Sequence, residues 1–210
     1  MDRVKELIER YPQLEPLKAN IIAAIDAVID CYKNGGKVMI CGNGGSASDS
    51  SHIVGELMKG FVKKRPIIGV ERAEMKASSP DITDEFLNNL QGSLPAINFT
   101  ENSAILSAFA NDVDPDMVYA QLALGYTKPH DVLIGITTSG NSKNVINACL
   151  VAKAKGAFIL GLTGRNGGKL KSVSDVAIVV PETETFKIQE LHLPIYHCIC
   201  AAVEEAFYTE

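Results

Sequence analysis

Several residue types and patterns are scarce in this chain, and each scarcity excludes a class of protein. Tryptophan is absent, and five cysteines stand among 210 residues without a CxxC pair. An odd count without such pairs indicates neither a disulfide framework nor a thiolate zinc site, so we expect reduced, buried thiols in a cytoplasmic protein. The net charge of −5 disfavours nucleic acid as a partner. No apolar run approaches the ~20 residues of a membrane span, so we expect no membrane contact.

Short apolar runs alternate with helical patterns along the rest of the sequence. Strands are predicted at 37–41, 95–99, 131–137, 157–163 and 175–180. Helices are predicted at 3–10, from about Leu17 to Asn34, at 47–59, from a capping Thr100 to Phe109, and at 114–125, 143–155 and 185–208. Alternation of this kind predicts an α/β fold, with a doubly wound parallel sheet between two layers of helices.

Two segments lie outside this alternation. The first 16 residues, MDRVKELIERYPQLEP, form a charged amphipathic pattern rather than a signal peptide. We expect the helices in residues 1–34 to serve oligomerisation. Residues 63–94 are polar and irregular, with one helical piece at 84–90, and are interpreted as an inserted surface loop. Residues 1–210 are accordingly interpreted as one domain.

Three loops rich in glycine and hydroxyl residues follow predicted strands: GNGGS (42–46), TTSGNS (137–142) and TGRNGG (163–168). In a parallel sheet, ligands bind beyond the carboxyl ends of the strands. Backbone N–H groups of glycine loops and helix N-termini suit a phosphate. None of the three is a P-loop or a G-x-G-x-x-G motif, and each alone is equally explained as a tight turn with a capping serine. Several such loops in one sheet favour a phosphate site.

A second polar pattern lies on two predicted helices. His52 and Glu56 are four residues apart and share a helical face. Gln189 and His197 are two turns apart on the last helix. A single histidine on an apolar helix is more often a core residue. The four side chains together contain ordinary zinc ligands, and an open coordination position would make such a site catalytic.

The segments GNGGSASDSSH, ITTSGNSKNV and LTGRNGG resemble the sugar isomerase (SIS) domain family, and within it the phosphoheptose isomerases. The resemblance covers most of the chain outside 63–94. It implies a doubly wound sheet, a homotetramer and interconversion of sedoheptulose 7-phosphate with a manno-heptose 7-phosphate. The substrate-binding residues that it implies are Asn43, Gly44, Gly45, Ser46, Asn111, Asp112, Thr137, Thr138, Ser139, Ser142 and Gln189.

The resemblance also implies the chemistry. The family patterns H-x-x-x-E and Q-x7-H map onto His52, Glu56, Gln189 and His197, which in some members bind a divalent metal, typically zinc. Glu56 would be the base that moves a proton between C1 and C2 through an enediol, and His197 the acid. Whether Glu56 can be a base while it binds a metal stays open. His192 falls on another angle of the helix and is assigned a structural role.

Two departures from the family leave alternatives open. The stretch 71–94 is longer than its counterpart, and Phe186 stands where some members have an aspartate that contacts substrate. Another ketose phosphate is therefore an alternative substrate. A non-catalytic SIS protein, either a sugar-phosphate sensor or an adaptor for the replication initiator, is the alternative function. Both the His52/Glu56 pair and the Gln189/His197 pair are intact, which favours an enzyme.

Overall fold

The computed structural model describes residues 2–208, which form a parallel sheet with helices on both faces. The strands are β1 (Val38–Gly42), β2 (Ala96–Asn98), β3 (Val132–Thr137), β4 (Phe158–Thr163) and β5 (Val176–Val179). Their order in the sheet is β2-β1-β3-β4-β5. The helices are α1 (Asp2–Arg10), α2 (Lys18–Lys33), α3 (Gly45–Met58), α4 (Gly69–Ser78), α5 (Asp84–Asn88), α6 (Ser103–Asp112), α7 (Val118–Tyr126), α8 (Lys143–Ala154), α9 (Gly168–Val173) and α10 (Thr185–Phe207).

Side chains of the central strands alternate between two apolar layers. Val38 and Ile40 of β1 join the core formed with α1, α2, α3 and α10. Met39 and Cys41 join the opposite core, formed with α7, α8 and α9. Because both faces are covered, the central strands are apolar at consecutive positions rather than at alternate ones. The predicted three-layer fold is confirmed.

The segment around the predicted cap Thr100 differs from the prediction. Thr100 lies in a 3₁₀ turn, Phe99–Glu101, and α6 begins only at Ser103. The side chain of Asn98 accepts a hydrogen bond from the backbone N–H of Thr100 at 2.9 Å. Asn98, at the end of β2, therefore caps the 3₁₀ turn. The prediction of Thr100 as the cap of the following helix was wrong.

Residues 63–94 contain more helix than the irregular loop that was predicted. Helix α5 falls inside the predicted helical piece, but α4 was not predicted. No side chain of α4 is buried, so packing of an apolar face against the core does not determine where this helix forms. Ion pairs hold the two helices together, since Arg72 and Lys76 of α4 both contact Asp84 at 2.8 and 2.7 Å. The short helix α9 was also missed.

The N-terminal helices pack on the body of the same chain. Leu7 and Ile21 are buried in the core, and Arg3 of α1 donates to Glu205 of α10 at 2.9 Å. All five cysteines are free and buried, as predicted. Within residues 2–208, no helix combines the length and the apolar character that a membrane span requires.

Candidate active site

The three glycine-rich loops meet at the carboxyl edge of the sheet. Gly42 of β1 pairs with Ile136 of β3, and Thr137 of β3 pairs with Thr163 of β4. The ends of these strands are therefore level with one another, and the loops that leave them are neighbours. Helix α3 begins directly after β1 and α8 shortly after β3, so two helix N-termini point toward this edge, where an anion is favoured.

The loop after β3, called here the hydroxyl loop (residues 137–142), carries a compact group of hydroxyls. The Oγ atoms of Thr137 and Ser142 are 2.8 Å apart, and those of Thr137 and Ser139 are 3.4 Å apart. The backbone N–H of Asn141 donates to Ser139 at 3.2 Å. Thr138 lies in the same loop and is partly exposed. The hydroxyl residues predicted from the sequence are thus brought together, in a form that can donate to an anion.

The shape of the hydroxyl loop is set by the loop after β4. Gly140 has φ +69°, and a Cβ at this position would collide with the carbonyl of Gly167. The backbone N–H of Leu170 donates to the carbonyl of Gly140 at 2.9 Å. Glycine is needed here for its backbone conformation and for the close approach. The third glycine-rich loop therefore supports the hydroxyl loop from outside.

The first glycine loop (residues 42–46) opens helix α3. Gly44 has φ +57°, and the backbone N–H of Ser46 donates to the carbonyl of Asn43 at 3.1 Å. Ser46 is buried, at 3% exposure. A Cβ on Gly45 would collide with the side-chain amide of Gln189, so this amide of α10 lies directly against the start of α3.

The exposed side chain of Asn43 is held by another side chain of the protein. Its amide exchanges two hydrogen bonds with the amide of Asn144 of α8, at 2.9 and 3.0 Å. Tyr119 donates to the carbonyl of Gly42 at 2.9 Å, and burial raises the pKa of Tyr119 to about 12, so it stays a donor. These contacts join the first glycine loop to α8 and α7. Sequence reasoning missed Asn144 and Tyr119, because nothing near them in the chain indicates their partners.

Asn111 and Asp112 lie apart from the groups just described. They end α6, are exposed, and bond to each other, with Asn111 Nδ2 donating to Asp112 at 2.8 Å. In the part of the chain that is described, neither side chain bonds to the hydroxyl loop.

His52, Glu56 and His197, called here the histidine cluster, bring α3 and α10 together. His52 Nε2 lies 3.1 Å from Glu56 Oε1 and 3.4 Å from His197 Nε2. The Glu56 side chain is 12% exposed and that of His52 is 42% exposed, so the cluster opens to solvent on one side. Glu56 Oε2 is buried without a hydrogen-bond partner. Burial lowers the pKa of His197, and the neighbouring His52 lowers it further.

Two residues that the sequence reasoning missed lie behind His52: Tyr196 contacts its ring, and Asp49 contacts Tyr196. The hydroxyl of Tyr196 lies 3.0 Å from His52 Nδ1 and donates to Asp49 Oδ1 at 3.3 Å. Burial raises the pKa of Asp49 and also raises that of Tyr196 above its ordinary value. Asp49 precedes His52 by one turn, which was a signal in the sequence, whereas Tyr196 has only its position next to His197.

A buried ion pair holds the segment that follows Glu56. Glu204 accepts backbone N–H bonds from residues 61–63 at 2.8 to 3.0 Å, and Arg65 Nε donates to it at 2.7 Å. Arg65 also donates to the backbone carbonyls of Glu56 and Leu57, at 3.0 and 2.6 Å. Burial opposes the charge of Glu204, but the N–H donors and Arg65 outweigh it and lower its pKa. The end of α3 is thereby fixed to α10.

His192, on the same helix as His197, is a structural residue. It is fully buried, and its Nε2 bonds to the carbonyl of Thr163 at 3.2 Å. Burial lowers its pKa to about 4, so it is neutral at physiological pH. This agrees with the structural role assigned from the sequence.

The predicted metal ligands fit a divalent metal in donor type but do not form a complete site. Within residues 2–208, no group of three or more His, Cys, Asp and Glu side chains is arranged to hold a metal ion. Two ligands of a tetrahedral zinc, each at ~2.0–2.1 Å, are roughly 3.3 Å apart, and the distances of 3.1 and 3.4 Å from His52 Nε2 match this spacing. Glu56 Oε2 has no hydrogen-bond partner, and the nearest charged group is the Lys59 ammonium at 3.7 Å. The donor types of His52, Glu56 and His197 and their spacing around His52 Nε2 therefore fit such an ion.

A cavity of about 270 Å³ opens beside the histidine cluster, between α1 and α10. His197 and Phe61 line one end, and Arg3 and Arg10 of α1 line another part of it. His197 is thus accessible from a space large enough for a small ligand.

Comparison with known proteins extends over nearly the whole chain. Residues 1–94 and 92–164 match the family model of the SIS domain. A phosphoheptose isomerase of a Nitratiruptor species is 38% identical over 207 residues, which are 97% of each protein. The structure of phosphoheptose isomerase GmhA from Neisseria gonorrhoeae has a TM-score of 0.73 at 30% identity and covers 97% of this chain and 92% of that one. A phosphoheptose isomerase from Francisella tularensis has a TM-score of 0.77 at 28% identity, with 96% and 94% covered.

Proposed function

The chain belongs to the SIS domain family and, within it, to the phosphoheptose isomerases, and we propose that it interconverts sedoheptulose 7-phosphate and D-glycero-D-manno-heptose 7-phosphate. That it is an isomerase follows from its family. The observation that carries the choice of reaction is the meeting of His52, Glu56 and His197 on two helices, the first of which starts at a glycine loop suited to phosphate.

The phosphate is bound at the carboxyl edge of the sheet. Ser46 and the hydroxyls of Thr137, Ser139 and Ser142 donate to it, together with the N-terminus of α3. Ser46 and His52 are six residues apart on α3, or ~9 Å along the helix axis. The same helix therefore bears the group that anchors one end of the sugar and the groups that act at the other end. The glycine loop and the His52/Glu56 pair, which lie in one short segment, would therefore act on two ends of the same substrate.

Glu56 is the base and His197 the acid. In the ketose-to-aldose direction, Glu56 removes a proton from C1 while His197 protonates the carbonyl oxygen at C2, which gives the enediol. Glu56 then returns its proton to C2, and the proton on O1 passes to His197 as the C1 carbonyl forms. The imidazole of His197 carries two ring nitrogens, one of which can donate while the other accepts, and this suits a group that passes a proton to O2 and takes one from O1.

The two oxygens of Glu56 suit two different tasks. Oε1 faces His52, whereas Oε2 has no hydrogen-bond partner and lies 3.7 Å from the Lys59 ammonium. Oε1 can therefore belong to a metal site, and Oε2 can act on the substrate carbon once rotation of the carboxylate brings it out of its buried position. We propose this division because a carboxylate with both oxygens bound to a metal would be a poor base.

A divalent metal, with zinc as the first choice, would be held by His52, Glu56, Gln189 and His197. When bound, it supplies Lewis-acid stabilisation of the negative charge that develops on the sugar oxygen. Gln189 lies against Gly45 at the start of α3, on the phosphate side of His52. Its amide therefore also suits a contact with the substrate.

Assembly and location remain proposals. We propose a homotetramer in which residues 1–34 contribute to contacts between subunits, and static light scattering at micromolar concentration tests it, with a monomer as the contradicting result. The five free cysteines support a cytoplasmic location. Residues 63–94 are proposed to be an insertion in the single domain 1–210.

Proton exchange at C1 and C2 tests the reaction. Sedoheptulose 7-phosphate is incubated with enzyme in deuterated water and followed by NMR. We expect deuterium to enter the sugar with the wild type and incorporation to fall roughly 10²–10⁴-fold with Glu56→Gln. Glu190→Gln, on the exposed side of α10 next to Gln189, is the matched control and should retain activity.

Two outcomes would change the proposal. Exchange with another ketose phosphate but not with this one would keep the chemistry and replace the substrate. No exchange with any of a small panel, although the sugars bind, would favour the sensor or adaptor alternative.

A further inference from the structure

Tyr196 and Asp49 stand behind the histidine cluster and have no part in the chemistry described above. Tyr196 is buried, at 3% exposure, on α10, and Asp49 lies one turn before His52 on α3. The ring centroids of His52 and Tyr196 are 5.4 Å apart and their planes make an angle of 72°. The tyrosine therefore approaches the imidazole with its hydroxyl, at the Nδ1 edge, and does not stack on the ring face.

The number of available protons determines the direction of the hydrogen bonds. The Tyr196 hydroxyl has one proton and lies within bonding distance of two groups, Asp49 Oδ1 at 3.3 Å and His52 Nδ1 at 3.0 Å. Asp49 Oδ2 is buried without a partner, and no second side chain within residues 2–208 donates to the Asp49 carboxylate. Leaving the half-buried carboxylate of Asp49 without a donor costs more than leaving a neutral imidazole nitrogen without one. The tyrosine proton therefore goes to Asp49.

With its proton committed to Asp49, the Tyr196 oxygen is an acceptor, and His52 Nδ1 must be the donor. We infer that Asp49 and Tyr196 are positioning residues that keep a proton on Nδ1 of His52, so that Nε2 is the atom presented to Glu56 and His197. A proton on Nδ1 suits the histidine cluster both with and without a bound metal. Without a metal, Nε2 can share a proton with Glu56, and with a metal, Nε2 is the nitrogen that is free to coordinate.

His192 offers an internal contrast. Its Nε2 bonds to a backbone carbonyl, and its Nδ1 is buried without a partner. That ring is held by one contact and presents no nitrogen to a reactive group. In His52 both nitrogens have partners, and the partner of Nδ1 has a further partner of its own. If Tyr196 only filled space beside His52, its hydroxyl would not need the further contact with Asp49.

The first test is a measurement on the metal-free protein. Nitrogen-15 NMR of the imidazoles reports which ring nitrogen of His52 carries the proton, with assignment by a His52→Gln variant. We expect a protonated Nδ1 in the wild type. In Tyr196→Phe we expect this signal to be lost or the tautomers to mix. Tyr126→Phe, which removes a more exposed hydroxyl on α7, is the control and should leave His52 unchanged.

The second test measures zinc affinity by competition with a chelator. Loss of a partner behind a histidine ligand weakens metal binding roughly 10–100-fold, so Tyr196→Phe should do so while the KM for the sugar phosphate stays unchanged. Asp49→Asn keeps an oxygen that accepts the tyrosine proton and should retain most of the affinity, whereas Asp49→Ala should lose it. This pattern separates hydrogen bonding from the charge of Asp49.

The first test does not depend on the proposed function, whereas the second rests on the metal site that is proposed there for His52, Glu56, Gln189 and His197. An unprotonated Nδ1 in the metal-free wild type would overturn the inference even if the chain is an active isomerase. Unchanged zinc affinity in both Tyr196→Phe and Asp49→Ala would also overturn it. If Tyr196→Phe does not fold, the zinc affinities of Asp49→Asn and Asp49→Ala decide, because Asp49 is only half-buried and its variants are expected to fold.

Discussion

The hydroxyl loop and the histidine cluster differ in how far along the chain their contacts reach. Hydrogen bonds among Thr137, Ser139 and Ser142 join residues at most five positions apart. In the histidine cluster, His197 meets His52 across 145 positions. The proposed phosphate contacts of the hydroxyl loop are thus encoded locally, whereas the proposed acid–base group depends on how α10 is seated on α3. Variants that loosen α10 should therefore damage chemistry before they damage phosphate binding.

The largest effect is expected from Glu204→Gln, which breaks the buried pair with Arg65. Removing one partner of a buried ion pair costs about 3–5 kcal/mol in the free energy of unfolding. Because Arg65 also holds the carbonyls of Glu56 and Leu57, we expect kcat to fall and the KM to change little. Urea unfolding measures the stability, and steady-state kinetics measure kcat and the KM.

The control is Glu205→Gln, whose partner Arg3 is about one-third exposed. This variant should lower the free energy of unfolding by less than ~1 kcal/mol. Equal effects of the two variants would contradict the prediction.

Glu204 also predicts a pH dependence with a defined sign. Its pKa is lowered from 4.5 in the folded protein. Its contribution to stability is therefore complete above about pH 4.5 and is lost as the pH falls through the lower, folded value. The difference in unfolding free energy between wild type and Glu204→Gln should shrink below pH 4.5 and be constant above it.

The next effect concerns the buried His192, which anchors α10 to the end of β4. Its pKa is about 4 in the folded protein, against 6.5 for an ordinary histidine. The unfolded chain therefore binds a proton first, and stability is lost as the pH falls from 6.5 toward 4, by about 3 kcal/mol in total. His192→Asn should remove this component of the slope. His130→Asn, at an exposed position with φ 72° that suits asparagine, should leave the slope unchanged.

Thr137→Val tests the hydroxyl loop with a smaller effect. It removes one hydroxyl and keeps the β-branched shape in β3. A hydrogen bond to a charged group contributes about 1.5–3 kcal/mol, so the KM should rise roughly 10–100-fold with kcat largely retained. Thr183→Val, at an exposed position, is the control. A fall in kcat with an unchanged KM would mean that the hydroxyl loop and the histidine cluster do not act separately.

The same contrast determines what could be predicted from the sequence. The hydroxyl loop was predicted because its glycine and hydroxyl residues are neighbours in the chain. His52, Glu56 and His197 were predicted in part from helical spacing and otherwise from the family resemblance. Tyr196 was not predicted, because its partners Asp49 and His52 lie more than 140 positions away and a tyrosine next to a histidine has no diagnostic pattern.

The fold shows the same limit. Strands buried on both faces were located to within two residues, since continuous apolar runs identify them. Helix α4 was missed because its side chains are exposed and its position depends on ion pairs with Asp84. Thr100 was misassigned because Asn98, two residues earlier, makes the cap. Where a contact between particular polar side chains decides the structure, composition and periodicity do not reveal it.

The smallest effect should come from the amide pair that joins the first glycine loop to α8. Asn43 and Asn144 exchange two neutral hydrogen bonds at an exposed site, and each such bond contributes about 0.5–1.5 kcal/mol. Because the loss of the pair loosens the first glycine loop without removing a contact of the hydroxyl loop, we expect each alanine variant to raise the KM by a factor of about ten or less. A double-mutant cycle on the KM decides between two roles of Asn43. If Asn43 only ties the loops, Asn43→Ala, Asn144→Ala and the double variant should have the same effect, because each removes the same pair. If Asn43 contacts the substrate, Asn43→Ala should exceed Asn144→Ala and the double variant should be worse than either. Equal effects of the three variants would mean that the first glycine loop depends on a contact across 101 positions. Only the hydroxyl loop would then have its contacts encoded locally, in contrast to the histidine cluster.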